Sequence, residues 1–101
     1  MSLNIVSIHH VAIICSDYSR SKHFYTEILG FEIISETYRA ERDSYKLDLR
    51  VGEKDQIELF SFLNRPARPS YPEARGLRHL AFAVDNLESQ ISKLTKHDIK
   101  V

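Results

Sequence analysis

One local pattern occurs twice in this chain, and the repetition limits the fold more than any other feature. His10-Val-Ala-Ile runs on to Asp17, and His79-Leu-Ala-Phe runs on to Asp85. In each copy a run of β-forming residues leads to a polar residue able to cap a helix. A three-to-four residue rhythm follows, carried by Tyr18, Ser21, Phe24, Tyr25, Ile28 and Leu29 in the first copy and by Leu87, Ile91 and Leu94 in the second. A supersecondary unit present twice predicts two modules of one architecture.

The first copy continues further. Residues 4–15 read as its opening strand, Asp17 as the helix cap, and Gly30 as the left-handed residue that closes the helix. Three strand-like stretches come next, 31–38, 45–51 and 56–63, separated by turn-prone segments 40–44 and 52–55. The order strand, helix, strand, strand, strand is a βαβββ module over residues 1–63. Residues 64–76 gather Pro66, Pro69 and Pro72 with Arg65, Arg68 and Arg75, a linker composition in which neither helix nor central strand persists. A strand over 77–84, a helix capped by Asp85 or Asn86, and the opening of a strand at 99–101 make residues 77–101 the start of a second module. That module lacks its remaining strands, so the chain is expected to stop early. The predicted class is α+β: paired βαβββ modules forming a cupped mixed sheet, helices on the outer face, the second module incomplete.

Composition narrows the partners. With 14 Lys+Arg against 14 Asp+Glu there is no basic excess to neutralise phosphates, which removes the electrostatic case for nucleic acid. One Cys rules out an internal disulfide framework and fits a reducing cytoplasm. The longest apolar run, residues 11–15, is far short of the roughly 20 residues needed to span a bilayer. No basic region followed by an apolar stretch marks the N-terminus for export. A cytoplasmic domain acting on a small molecule is the expectation.

Alternation along strands then sorts the candidate site residues. His10, Ala12 and Ile14 share one face, and Val11, Ile13 and Cys15 share the other; His79, Ala81 and Ala83 likewise oppose Leu80, Phe82 and Val84. The larger apolar set packs under the helix, leaving each His on the helix-free face. Ile57 and Leu59 also belong to the helix side, so Glu58 points the opposite way with Phe60. Imidazole and carboxylate suit Zn, Ni, Mn, Fe or Co as a divalent ion. Taken singly, each residue reads as a hydrogen-bonded sheet histidine or an arginine-paired glutamate. Two His at equivalent points of a repeat, plus a Glu inside an apolar strand, favour the metal site: His10, Glu58 and His79.

These residues resemble the vicinal oxygen chelate superfamily, also called the glyoxalase/bleomycin-resistance/dioxygenase superfamily. The resemblance rests on His10-Val-Ala-Ile, Asp17, Phe24-Tyr25-Thr26-Glu27-Ile28-Leu29-Gly30-Phe31, Ile57-Glu58-Leu59-Phe60 and Gly76-Leu77-Arg78-His79-Leu80-Ala81-Phe82. It is nearest to small bacterial lactoylglutathione-lyase-like proteins. The resemblance implies one divalent metal in the cup, with His10, Glu58 and His79 matching three of four ligand positions. The fourth, a late Glu of the second module, has no counterpart here. It further implies a lyase or isomerase acting on a small substrate with vicinal oxygens, a thiol adduct being one form, through a stabilised enediolate. Glu58 is then the catalytic base in view. Chains of this group commonly pair, so a homodimer is expected; an open sheet edge points the same way. The alternatives are a non-catalytic, drug-sequestering member of the fold, or a dioxygenase or thiol transferase on the same scaffold.

The remaining polar residues carry two readings each. Arg39, Arg42 and Lys46, near the second connection, are solvated charge by default; the resemblance, in which this region borders the cup, implies instead groups that bind a substrate carboxylate through a planar fork. Arg65, Arg68, Arg75 and Arg78 divide the same way. His9 is expected on the face opposite His10 as a structural residue, His23 and His97 on helix surfaces, and Cys15 as a buried small apolar side chain. The Pro-x-x-Pro-x-x-Pro spacing is read as a connector in preference to a polyproline ligand.

Overall fold

The computed structural model describes residues 3–63, 65–67, 71–72 and 75–101. They fall into two compact units, Met1–Pro66 and Ala67–Val101.

In the first unit strand β1 (Val11–Cys15) leads to helix α1 (Tyr18–His23). Asp17 caps α1, its Oδ1 accepting from the Arg20 N–H at 3.1 Å. The helix does not run to Gly30 as one α-helix. It widens into a π-helical turn over Phe24–Ile28, with the Leu29 N–H reaching Phe24 O at 2.9 Å. The Thr26 hydroxyl donates to Lys22 O at 2.7 Å and so competes with the regular ladder at this point. Gly30, at φ +77°, takes the left-handed position, and the Phe31 N–H closes the end on Tyr25 O at 2.9 Å.

Strands β2 (Glu32–Arg39), β3 (Ser44–Val51) and β4 (Asp55–Ser61) complete a mixed four-stranded sheet in the order β1-β4-β3-β2. β1 pairs with β4 in parallel, whereas β4–β3 and β3–β2 are antiparallel. A register shift between Ile33 and Ser35 marks an irregularity in β2. The β2–β3 connection is a 3-10 turn, Ala40–Arg42, followed by left-handed Asp43, a conformation that aspartate tolerates better than most residues. The Tyr38 hydroxyl holds this turn by donating to Asp43 Oδ1 at 2.5 Å.

Leu47, Leu49, Ile57, Leu59 and Cys15 form the buried core, with Ile13, Tyr18, Tyr25, Phe31 and Val51 packed around it. All five core residues sit on the sheet face that α1 covers, where alternation of apolar side chains predicts them. Cys15 is buried there, and burial raises its thiol pKa above the ordinary value. At the margin of this face Tyr18 stacks on Tyr45 at 4.8 Å between ring centroids. Its hydroxyl donates to Glu36 Oε2 at 2.6 Å, and Lys22 Nζ binds the same carboxylate at 2.9 Å.

The second unit contains helix α2 (Leu87–Lys96), capped by Asn86, whose side chain accepts from the Ser89 N–H at 3.0 Å. Among the described residues neither 77–84 nor 99–101 forms a strand, contrary to expectation. The physical reason is the same for both: β-forming residues need a partner for their ladder, and the described residues of this unit contain no strand. The opening strand is shorter than predicted for a related reason. β1 begins at Val11, opposite Ile57, and residues 4–10 lie outside the ladder that β4 provides. Among the described residues no helix is long and apolar enough to cross a membrane.

Candidate functional site

The sheet face without a helix carries the polar residues. In the parallel β1–β4 register Ala12 lies opposite Glu58, and in the antiparallel β3–β4 register Asp48 lies opposite Glu58 from the other side. Small Ala12 leaves room above the strand, and His10, just before β1, reaches into that space. Its Nε2 is 3.7 Å from Glu58 Oε1. Lys46, two residues before Asp48, places Nζ 3.8 Å from Glu58 Oε2 and 3.7 Å from Asp48 Oδ1. Asp48 Oδ2 accepts from Ser35 Oγ at 2.8 Å. Two carboxylates directly opposite each other on neighbouring strands repel, and one ammonium between them offsets that repulsion.

The Glu58 side chain is only 17% exposed, while the imidazole of His10 is 42% exposed. The acidic end of the pair is therefore fixed in the sheet and the histidine end is open to solvent. Two donors bound to one Zn-like ion at about 2.0–2.2 Å stand roughly 3–3.5 Å apart, so His10 and Glu58 fit that role in chemistry and nearly in separation. His79 belongs to the second unit, exposed, within the segment that forms no ladder. Among the described residues no group of three or more His, Cys, Asp or Glu side chains is gathered for a metal.

Beyond Glu58 the same face opens into a concavity of about 360 Å³, lined by Ala12, Ile14, Arg39, Arg42, Phe60 and Phe62. Arg39 projects from the end of β2 with its guanidinium 5.0 Å from the Phe60 ring centroid, and Arg42 stands 5.2 Å from that of Phe62. Arg39 Nη2 donates to Ser44 Oγ at 3.0 Å, and Ser44 is fully buried. Arg39 and Arg42, grouped with Lys46 by sequence position, thus separate in space: the arginines line the pocket and Lys46 joins the carboxylates.

Two residues escaped the sequence reading. Asp48 was available in principle, since Lys46, Asp48 and Arg50 alternate with Leu47, Leu49 and Val51. What alternation cannot supply is the register that sets Asp48 against Glu58. Phe62, beyond the end of β4, was the second; only its pairing with Phe60 two residues earlier hinted at a shared face. His9 departs from expectation as well. It lies before β1, where strand alternation does not apply, and its Nδ1 is 2.9 Å from that of His10, at hydrogen-bond distance. His23 and His97 are exposed at helix ends, as expected.

Comparison with known proteins agrees with this architecture. The profile of the Glyoxalase/Bleomycin resistance protein/Dioxygenase superfamily matches residues 7–101. Uncharacterized protein YwkD of Bacillus subtilis is 56% identical over 94 residues, covering 93% of this chain and 73% of that protein. The crystal structure of a glyoxalase family protein from Enterococcus faecalis superposes with a TM-score of 0.85 at 50% identity, over 93% of this chain and 74% of the other. A more distant structure, the trypanothione-dependent glyoxalase I of Leishmania major, reaches a TM-score of 0.72 at 26% identity, over 93% of this chain and 68% of that one. A mixed α+β sheet with a helix on one face, polar residues on the other, and a profile match across nearly the whole sequence lead to one conclusion: the chain belongs to the Glyoxalase/Bleomycin resistance protein/Dioxygenase superfamily.

Proposed function

We propose that the chain is a divalent-metal-dependent lyase or isomerase of glyoxalase type, acting on a small substrate with two neighbouring oxygens. The observation that carries the reading is the approach of His10 Nε2 to Glu58 Oε1, at 3.7 Å, on the face without a helix. His10, Glu58 and His79 are the metal ligands of this reading. When bound, such an ion polarises a carbonyl and acidifies the adjacent C–H. The chain's own part is then to move that proton, and Glu58 is the group positioned for it: a carboxylate held in the sheet, with one oxygen facing His10 and the other facing Lys46. The homodimer, a thiol adduct as one form of substrate, and a cytoplasmic setting belong to the same proposal. The module boundaries 1–63, 64–76 and 77–101 do so too.

Metal content and turnover test it together. The purified chain, incubated with Zn²⁺, Ni²⁺ or Mn²⁺ and desalted, should retain about one ion per active site by elemental analysis. His10→Ala and Glu58→Gln should each lower that affinity by 10-fold or more, roughly the loss expected for a ligand or its orienting partner. Turnover of a 2-oxoaldehyde–thiol adduct should disappear in Glu58→Gln. Absence of retained metal in the wild type would end the proposal.

A second reading has an observation of its own. Lys46 already stands within 3.8 Å of Glu58, supplying the positive charge that a metal would otherwise bring. A binding member without chemistry would keep that arrangement. Ligand binding by the wild type that persists unchanged in strong chelator, with no turnover, would favour it.

A further inference from the structure

The concavity beside Glu58 has a charge imbalance that the metal reading does not use. Three guanidinium groups converge on one ring: Arg39, Arg42 and Arg65 stand 5.7, 5.2 and 5.4 Å from the centroid of Phe62. Among the described residues none of the three is paired with a carboxylate. The acidic groups of this face, Glu58 and Asp48, are instead engaged by Lys46 and, for Asp48, by Ser35. Arg39 is the most constrained of the three. Its Nη2 is held by Ser44, its plane rests near Phe60, and its Nε is buried without a hydrogen-bond partner. A buried donor left without an acceptor is costly, and so is the mutual repulsion of like charges over an apolar surface. One ligand feature relieves both: an oxyanion, which accepts from guanidinium N–H groups as a planar fork. The rest of the lining is apolar, Ala12, Ile14, Phe60 and Phe62, and gives such an anion's body a place out of water.

We infer that this pocket recognises an oxyanion carried on an apolar body, with Arg39 and Arg42 holding the anion and Phe60 and Phe62 receiving the body. The inference deepens the proposed function and rests on it in one respect, that the helix-free face is the substrate face. It adds that the substrate is bipartite. Its reacting oxygens lie toward His10 and Glu58, and a separate anionic group lies toward β2. A carboxylate and a phosphate monoester share the required chemistry.

The test uses the whole chain and simple probes. Benzoate and phenyl phosphate, titrated while amide chemical shifts are followed, should perturb Ala12, Ile14, Phe60 and Phe62; the tighter of the two identifies the anion. Acetate, which has the charge without the body, and benzyl alcohol, which has the body without the charge, should each bind about tenfold more weakly or less. Arg39→Gln should weaken binding of the preferred probe by about tenfold. Arg42→Gln, at an exposed position where folding is not at stake, should weaken it severalfold. Equal binding of acetate and benzoate, shifts that map elsewhere, or no effect of either arginine substitution would overturn the inference. Metal retention measured on the same wild-type sample separates the two claims. Probe binding without retained metal removes the proposed reaction and leaves the pocket standing; retained metal without probe binding does the reverse.

Discussion

Strand β4 puts two kinds of surface on alternate residues. Ile57 and Leu59 are 2% and 0% exposed beneath α1, whereas Glu58 and Phe60 face the side with no helix. On the first side a charged pair stands at the margin, where Tyr18, Lys22 and Glu36 satisfy one another. On the second, charge is concentrated: a histidine and an ammonium about one carboxylate, and arginines about a pair of phenyl rings. The difference teaches that stability and ligand chemistry here are carried by neighbouring residues of the same strands but by opposite faces. A substitution at Ile57 or Leu59 should destabilise the fold, and one at Glu58 or Phe60 should change what it binds.

The largest expected effect tests that separation directly. Leu59→Ala opens a cavity in a fully buried site and should cost about 2–5 kcal/mol in urea or thermal unfolding. Phe60→Ala, on the half-buried open face, should cost less than half as much and instead reduce probe binding in the pocket. Equal losses of stability would mean that the open face is also core. Next in size is Asp17→Ala, which removes the cap of the helix that closes the buried face; a loss of about 1 kcal/mol is expected in the same measurement.

Local signals in the sequence carried most of the first unit. Asp17 and Gly30 mark the helix ends by their chemistry alone, and the Ile57-Glu58-Leu59-Phe60 alternation assigns faces before any partner strand is known. What depended on distant partners was read less well. Residues 77–84 repeat the His-x-Ala pattern of β1 and its approach, yet among the described residues only the first copy is paired in a ladder, with β4. The π-helical turn is invisible to a three-to-four residue rhythm, because one extra residue in the helix end leaves the apolar pattern nearly intact. The site divides in the same manner. Alternation puts Glu58 on the open face, but its closeness to Asp48 and Lys46 comes from strand register, which is set by turns several residues away.

Lys46→Met probes the open face alone. Without the ammonium, Asp48 and Glu58 stand opposite each other with no counter-charge in the strand pair. A destabilisation of roughly 0.2–1 kcal/mol at neutral pH is expected, the range for like charges directly across a sheet. If the proposed metal reading holds, Zn²⁺ should raise the unfolding midpoint of this variant, since an ion that binds only the folded state stabilises it. A variant as stable as the wild type would show that Lys46 is not the group balancing this pair.

The smallest effect belongs to the margin of the buried face and is read from pH. The Glu36 carboxyl is held below its ordinary range, first by the hydrogen bond from Lys22 and then by that from Tyr18. A carboxylate with a depressed folded-state pKa contributes stability that is present above its ordinary value and lost as pH falls through the folded one. Glu36→Gln should therefore be less stable than the wild type at neutral pH, by roughly 0.2–1 kcal/mol given the exposure of the pair, and the gap should close in acid. The Tyr18 phenol has the opposite sign. Burial first, and then the bond to Glu36, raise its pKa above the ordinary value of 10.0, so its contribution is present below that value and lost as pH rises toward the folded one. Unfolding midpoints of wild type and Glu36→Gln, measured from acid to alkaline pH, should separate through the neutral plateau and converge at the acid end. A gap independent of pH would mean that Glu36 acts through packing, and the margin of the helix face would then have no electrostatic part.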